Sequence, residues 1–196
     1  AITRGNGEVG EVVTNNASVF KNIPLRISFT GRLILRGEAV IRYSDFEEIN
    51  SRITDPKEQY KNPRNLCSGS VRQLNNEITA KRNVRFYAFA LVEAQDMPEM
   101  HFRKEQFAFL AGLGFDVVEY KEVTSENVHE AVSYFADKIT THDIPSDGLV
   151  LLYDDIAYGK SLGRTAKFPR DAIAFKWADE VSETTLLEIE WSPSRT

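Results

Sequence analysis

A series of strand-like runs constrains the fold of this chain more than any other feature of the sequence. The runs are rich in β-branched and aromatic residues, which favour a pleated, half-buried backbone. We expect the two apolar runs near the end, DGLVLLY and AIAFKW, to be buried strands, with residues 149–152 mainly in the core. The seven predicted strands are PLRISF (24–29), GRLILRGEAVIRY (31–43), VRFYAFALVEA (84–94), FDVVEY (115–120), DGLVLLY (147–153), AIAFKW (172–177) and TTLLEIEW (184–191).

Helical patterns fall between these strands. A Gly- and Asn-rich turn at 3–16 leads into a short helix, and a second helix begins at SDFEEI, where Ser44 and Glu47 would form a capping box. Pro63 suits the first turn of a basic helix. Two further helices are predicted at 102–115, closed by Gly112 or Gly114, and at 125–139, capped by Ser125.

The order of these elements predicts the fold class. Strands dominate both ends of the chain and helices fall between and after them, which indicates an α+β fold with mostly antiparallel sheets. The 196 residues fit one domain, or one domain with a small appendage. Both ends look interrupted, because residues 1–4 enter in the middle of a strand and residues 191–196 leave a strand that has no closing partner.

Composition limits the class of protein. Hydrophobic residues make up 42% of the chain and charged residues 27%, so a packed core is expected. The apolar runs are too short for a membrane span, and no signal segment opens the chain. The single cysteine, Cys67, excludes an internal disulfide and a cysteine-based zinc site, and the three scattered histidines suggest no metal cluster. A cytoplasmic protein is therefore expected.

The charge distribution is uneven along the chain. The net charge of −5 argues mildly against a nucleic-acid binder. However, residues 61–85 carry six basic residues and one acid, and residues 157–176 carry five basic residues and one acid. This segregation predicts either one anion-binding face or two basic segments that are simply solvated.

Two candidate binding residues lie beside glycines. Arg4 precedes a Gly-Asn-Gly turn, where its guanidinium could bind a phosphate or carboxylate, or could stay exposed on a hairpin. Gly37 interrupts a strand, which marks the close approach of a ligand or another backbone. Its neighbour Glu38 could bind a ribose hydroxyl or a metal through water, or could pair with Arg36 or Arg42 across the sheet.

Further candidates are basic. Arg64 and Arg72 lie eight residues apart, so on one helix they would share a face and could contact adjacent backbone phosphates, or form a solvated face. Lys176 interrupts AIAFKW, and because an unpaired buried charge is costly, its amine should reach a partner or pocket, or else extend to solvent along its apolar stem. Arg170, after Pro169, lies close to it in sequence.

Taken together, these motifs resemble those of the NAD-dependent bacterial DNA ligases. The resemblance covers nearly the whole chain, and it rests on the order and spacing of the motifs rather than on any one of them. The segment is similar to the adenylation (nucleotidyltransferase) domain of that family. The matching motifs are TRGNGEVGEVVTNN, IPLRI, RGEAVI, NPRNLCSGSVRQL, DGLVLLYDD, GRTAKFPRDAIAFKW and WSPSRT.

The resemblance implies a fold, a reaction and partners. The fold would be the nucleotidyltransferase fold, with antiparallel sheets and flanking helices around a nucleotide cleft, as in the ATP-grasp-like catalytic core of DNA ligases and mRNA capping enzymes. In the family, a lysine attacks the α-phosphorus of NAD and expels nicotinamide mononucleotide. The AMP then passes to the 5′-phosphate at a nick, and the 3′-hydroxyl displaces the AMP to seal the strand. The expected cofactors are NAD and Mg²⁺. The expected partner is nicked double-stranded DNA, with no membrane association, and the protein would be a monomer.

The family's functional residues carry over position by position. The candidate catalytic residues are Lys176, which matches the lysine of the family's last motif that contacts the α-phosphate, and Asp147, which matches the acid that opens the preceding motif. Arg4 and Glu38 match residues near the nucleotide, Glu38 in the sugar region, and Lys176 also counts among the nucleotide-binding residues. The candidate DNA-binding residues are Arg64, Arg72 and Arg170, the last in the matching Pro-Arg pair.

Two departures from the family pattern affect these expectations. The nucleophilic lysine motif, of Lys-x-Asp-Gly type, lies upstream of Arg4 in the family and is absent from these 196 residues, so we expect that the chain alone does not adenylate itself. In addition, Leu152 occupies the position of a second family lysine. We expect the adenylation domain to span 1–181 and the start of an OB-fold domain to span 182–196.

Two alternative functions remain open at this level. One is a non-catalytic module of the same fold that binds nucleotide or nicked DNA. The other is an ATP-dependent ligase or capping-type enzyme, against which the motif NPRNLCSGSVRQL speaks, because it resembles the NAD-dependent branch.

Overall fold

The computed structural model describes residues 1–97, 99–165, 168–176, 183, 185–189 and 191. The described part is a mixed α/β structure with two small antiparallel sheets, which confirms the predicted α+β class with antiparallel pairing. The helices are α1 (Thr14–Ala17), α2 (Tyr43–Ser51), α3 (Pro63–Ser70), α4 (Asn76–Lys81), α5 (Arg103–Gly112), α6 (Val128–Ile139) and α7 (Ile156–Ser161). The strands are β1 (Leu33–Val40), β2 (Arg85–Ala94), β3 (Gly148–Leu152) and β4 (Ala172–Lys176).

The first sheet pairs β1 with β2, with irregular register on both sides of Leu35 and Arg36. At the second irregularity lies Gly37, where an added Cβ would stand 2.3 Å from Cζ of Phe86 and 2.4 Å from the carbonyl oxygen of Tyr87. Glycine at this position therefore permits the close approach of the neighbouring strand. The prediction that Gly37 marks such an approach is confirmed for the backbone of β2.

The hydrophobic core lies between this sheet and α1 and α3. A buried polar network stabilises it from one side: the Asn16 amide donates to the carbonyl oxygens of Val71 (3.0 Å) and Gln73 (2.8 Å) and accepts from the Thr79 hydroxyl (2.8 Å). These bonds join α1 to the end of α3 and to α4, so the buried amide is satisfied. The buried members of the core are Ala17, Phe20, Ile41, Leu66, Cys67 and Val84.

The second sheet pairs β3 with β4, from Gly148 opposite Lys176 to Leu152 opposite Ala172. The prediction that these are buried strands is wrong: Val150 is 62% exposed and Leu151 is 46% exposed. Successive side chains point to opposite faces of a strand, so both faces contact solvent. The reason is that this sheet contains only two strands in the described part of the chain.

Several predicted element boundaries also differ. PLRISF (24–29) forms no strand, FDVVEY (115–120) contributes only one bridge residue, and neither α4 nor α7 was predicted. The N-cap positions of α2 and α6 are held by Arg42 and Asn127 rather than Ser44 and Ser125, and neither side chain forms a capping hydrogen bond. By contrast, α5 ends at Gly112 and is followed by Gly114 at φ +90°, as expected for a helix terminus.

The end of the chain is only partly described. The described residues of TTLLEIEW are irregular, and the predicted domain boundary between 181 and 182 lies outside the described residues. None of the helices in the described part combines the length and the apolar character that a membrane crossing needs.

Candidate functional site

One carboxylate, that of Asp147, holds two cations that come from distant parts of the chain. The Lys176 amine donates a hydrogen bond to its Oδ2 across 3.2 Å, and Nη1 of Arg64 lies 3.7 Å from the same oxygen. The three side chains are 69–80% exposed, so all of them are accessible to a ligand. We call Asp147, Lys176 and Arg64 the charged triad.

The pairing of β3 with β4 places two members of the triad. Gly148 lies opposite Lys176, and an added Cβ at Gly148 would stand 2.4 Å from the carbonyl oxygen of Phe175. Glycine therefore lets the strands approach closely where they meet. Because Asp147 directly precedes this glycine, its carboxylate reaches the Lys176 amine.

Helix α3 presents the third member. Pro63 is its first residue, and the side chain of Asn62 caps it by accepting from the backbone N–H of Asn65 at 2.7 Å. The residues of α3 that face the core include Leu66 and Cys67, and Arg64 lies on the exposed side.

The expectation that Arg64 and Arg72 share one helical face is wrong. The helix α3 ends at Ser70, so Arg72 lies beyond its C-terminus. Nε of Arg72 instead lies 2.7 Å from Oε2 of Glu11, in the N-terminal hairpin. The structure thus groups Arg64 with Lys176 and Asp147, and it groups Arg72 with the hairpin.

That hairpin also carries Arg4. Its ends meet where Ile2 bridges Val12, and its tip is ordered by Asn6, whose side-chain oxygen accepts from the backbone N–H groups of Glu8 and Val9. Gly5 and Gly7 flank Asn6 with φ values of +52° and +101°, which glycine adopts readily. The Arg4 side chain is exposed and bonds to no other described residue.

Glu38 lies on β1, opposite Tyr87, and its charge affects the buried thiol of Cys67 in α3. Burial raises the pKa of Cys67 to about 12, and the negative charge of Glu38 adds to the increase. The side chain of Glu38 is exposed and forms no ion pair with Arg36, Arg42 or any other described residue. Arg42 instead donates to the Tyr87 hydroxyl at 3.5 Å, and this bond raises the pKa of Arg42.

Arg170 and Leu152 lie near the end of the second sheet that is opposite to the charged triad. Arg170 is exposed, and its backbone N–H donates to the carbonyl oxygen of Gly163 at 3.1 Å. Leu152 lies at the far end of β3, opposite Ala172, about 14 Å from Gly148, because an antiparallel strand rises ~3.4 Å per residue. Paired and alternate positions share a face, so Leu152 and Lys176 project from the same side of the sheet.

The sequence reasoning missed two residues that hold this sheet, Arg103 and Asp171. Nη2 of Arg103 donates to Oδ2 of Asp171, and the two side chains are only 26% and 13% exposed. A signal was present in the sequence, because Arg103 and Lys104 are cations in the first helical turn, where the helix dipole disfavours them. Such a placement indicates a specific partner.

Comparison with known proteins identifies close relatives. Residues 1–180 match the family model described as the NAD-dependent DNA ligase adenylation domain. The chain is 68% identical over 196 residues to a DNA ligase of Lachnoclostridium phytofermentans and 62% identical to one of Ruminiclostridium cellulolyticum. It is also 38% identical over 197 residues to a DNA ligase of Bacillus licheniformis. The first two matches cover 100% of this chain and the third 99%, but they cover only 29–30% of each relative.

Proposed function

The chain belongs to the NAD-dependent DNA ligase adenylation domain family, and on that premise we propose that it supplies most of the nucleotide cleft of a DNA ligase. Such a ligase would use NAD to seal nicks between 5′-phosphate and 3′-hydroxyl ends, through a lysyl-AMP and a DNA-adenylate intermediate. The proposal extends to the finer fold, the nucleotidyltransferase fold. It also includes a monomeric, cytoplasmic protein whose partners are NAD and nicked double-stranded DNA.

The charged triad is the observation that carries this proposal. At neutral pH two cations and one carboxylate leave a net charge of +1, which attracts a phosphate. The ion pairs are exposed, and exposed pairs contribute only about 0–1 kcal/mol to stability. A phosphate can therefore replace Asp147 as the partner of Lys176 or Arg64 at a small cost in stability, while Asp147 stays paired with the other cation.

The proposed reaction transfers AMP, so its transition states carry negative charge on phosphorus oxygens. In this proposal Lys176 donates hydrogen bonds to the α-phosphate and stabilises that charge, and Asp147 orients its amine. Arg4 and Glu38 would contact the nucleotide, Glu38 through the ribose hydroxyls. Arg64 would contact the DNA backbone near the nick.

We further propose that Arg72 and Arg170 contact DNA phosphates. Both are exposed, and Arg72 links the N-terminal hairpin to the end of α3. A phosphate that replaced Glu11 at Arg72 would therefore contact the segment that carries Arg4. This arrangement would couple DNA binding to the nucleotide side of the cleft.

A protein-held magnesium site does not fit the described residues. No group of three or more His, Cys, Asp or Glu side chains in the described part of the chain is arranged to hold a metal ion. The Asp147 carboxylate already faces two cations. We propose that Mg²⁺ arrives with the phosphates of NAD, as is common in phosphoryl transfer. The roles of the charged triad do not depend on it.

The experiment that tests the proposal is nick sealing by the full-length protein that carries this chain. With a nicked duplex and either NAD or ATP, we expect sealing with NAD only. Lys176→Ala should abolish sealing with the fold retained, as followed by circular dichroism, whereas Lys57→Ala, a change on an exposed loop, should not affect it. Sealing at wild-type rates by Lys176→Ala, or sealing with ATP alone, would contradict the proposal.

A further inference from the structure

We propose that Arg103 and Asp171 are positioning residues for Lys176, which act by fixing the register of β4 against β3. This inference rests on the proposed function of Lys176. Arg103 lies outside the motifs on which the family resemblance rests, and Asp171 lies within one of them, GRTAKFPRDAIAFKW, as a residue with no assigned role. Neither contacts the charged triad. They act from the opposite end of the sheet.

Arg103 joins the end of β3 to the start of β4. Its Nε donates to the carbonyl oxygen of Tyr153 at 2.9 Å, and its Nη2 donates to the carboxylate of Asp171. Tyr153 directly follows β3 and Asp171 directly precedes β4. The backbone N–H of Tyr153 also donates to the carbonyl oxygen of Asp171, at 3.1 Å. One guanidinium thus holds both strands where they diverge.

The backbone of α5 strengthens the same attachment. The backbone N–H of Arg103 donates to the carbonyl oxygen of Asp154 at 2.9 Å, and that of Lys104 donates to the carboxylate of Asp154 at 3.0 Å. On the other side, the buried Gly159 of α7 packs against Asp171, because an added Cβ would stand 3.0 Å from its Oδ2. The Arg103–Asp171 pair is therefore the most shielded ion pair among the described residues.

The sheet needs this attachment because packing does little to fix it. A two-stranded sheet is marginally stable by itself, and β3 and β4 are largely exposed in the described structure. A register slip of one residue would move Lys176 to the other face and away from Asp147. Polar bonds at the Arg103 end therefore determine where the Lys176 amine lies at the other end.

The test combines Arg103→Lys with a matched control. Lysine keeps the positive charge but lacks the second nitrogen that reaches Tyr153 while the first binds Asp171. The control is Lys104→Ala, one residue along the same helix, which removes an exposed pair with Glu122 and leaves the backbone bond to Asp154. Asp171→Asn, which keeps the shape of the side chain, gives a second variant. Thermal melting monitors folding in each.

Two measurements distinguish positioning from general destabilisation. The first is AMP affinity by calorimetry in the full-length protein. Arg103→Lys should weaken it about 10-fold with Lys176 present, since small misplacements of a binding group have large effects, and less than about 2-fold in the Lys176→Ala background. Lys104→Ala should leave it unchanged. Independent, multiplicative effects of Arg103→Lys and Lys176→Ala would overturn the inference.

The second measurement needs no nucleotide. Hydrogen exchange of the β4 amides should accelerate in Arg103→Lys and Asp171→Asn but not in Lys104→Ala. Unchanged exchange in folded variants would overturn the inference whatever the enzyme does. If wild-type protein bound no AMP and sealed no nick, the proposed function would fail, and faster exchange alone would still support the role of Arg103 in the register.

Discussion

Asp143 accepts two hydrogen bonds from Ser44, a residue 99 positions earlier in the chain: one from its backbone N–H at 2.8 Å and one from its hydroxyl at 2.7 Å. The backbone N–H of Tyr43 donates to the carbonyl oxygen of Asp143 as well, at 2.9 Å. Asp143 therefore caps α2 from outside the helix. Because it lies four residues before Asp147, this attachment also anchors the loop that carries the charged triad's carboxylate.

The Asp143–Ser44 attachment predicts a pH-dependent stability. The bonds from Ser44, chiefly from its backbone N–H, lower the pKa of Asp143 below its usual 3.8. The carboxylate thus contributes stability that is present above about pH 4 and is lost as pH falls through its lowered pKa. Ser44→Ala removes the hydroxyl bond and keeps the backbone bond, so it should lower the free energy of unfolding by about 0.5–1.5 kcal/mol at pH 7.

Urea denaturation of wild type and Ser44→Ala at pH 7 and pH 3 checks this. The difference between the two proteins should shrink at pH 3. Both proteins keep Arg42 and His142, whose charges also lower the pKa of Asp143, so the effects of these two residues cancel in the comparison. A difference that is the same at both pH values would show that the charge of Asp143 contributes nothing.

A second prediction concerns Gly37. Gly37→Ala would place a Cβ 2.3 Å from Cζ of Phe86 and 2.4 Å from the carbonyl oxygen of Tyr87, so the strands must move apart. We expect a loss of about 1–3 kcal/mol in the free energy of unfolding, as for other overpacked sites. Gly69→Ala is the control, since an added Cβ there has no neighbour within 4 Å and lies within α3. It should be neutral or stabilising by about 0.5–1 kcal/mol.

Leu152 offers a gain-of-function prediction. Leu152→Lys adds a cation on the face of the sheet that carries Lys176, and Leu152 is 37% exposed, so the lysine can reach solvent. We expect AMP affinity to rise roughly fivefold, which corresponds to about 1 kcal/mol. This is the size expected when an added charge attracts the phosphate through partly solvated surroundings. The matched control is Leu151→Lys, which lies on the opposite face and is 46% exposed. Calorimetry that found equal gains in both variants would refute the assignment of faces.

DNA binding should depend steeply on salt, with Arg64 contributing one contact. In a titration of nicked duplex at several salt concentrations, Arg64→Ala should reduce the slope of log affinity against log salt by about 1. Its fold should be unaffected, because its ion pair with Asp147 is exposed. The control is Arg52→Ala, which removes an exposed guanidinium that directly follows α2 and pairs with Glu48 of that helix. An unchanged slope for Arg64→Ala would remove Arg64 from the DNA-binding surface.

The last prediction concerns adenylation of the chain by itself. Its 196 residues contain no Lys-x-Asp-Gly motif, so NAD and Mg²⁺ should yield no covalent AMP adduct on this chain. Intact-mass spectrometry after incubation checks this, with the full-length protein as the positive control. An adduct on any of the chain's own lysines would mean that another amine can serve as the nucleophile.

Local patterns in the sequence determined much of the fold. Pro63 at the start of α3, Gly114 after α5 and the β-forming residues of β1 to β4 were all identifiable, because each reflects a preference of the backbone near that residue. The capping of α2 was not identifiable. Ser44 has the right character for a cap, but Asp143 satisfies the helix start from 99 residues away.

The sequence by itself determined the family, the candidate residues and the need for glycine at Gly37. Only the tertiary structure decided which candidates meet. Asp147 binds both Lys176 and Arg64 because α3 lies beside the start of β3, whereas Arg72 meets Glu11 because α3 ends two residues before it. The tertiary structure also decided that β3 and β4 are exposed and that Arg103 links the end of β3 to the start of β4 through its hydrogen bonds. Backbone preference is local, but a contact between distant side chains depends on how whole elements pack, which no short pattern encodes.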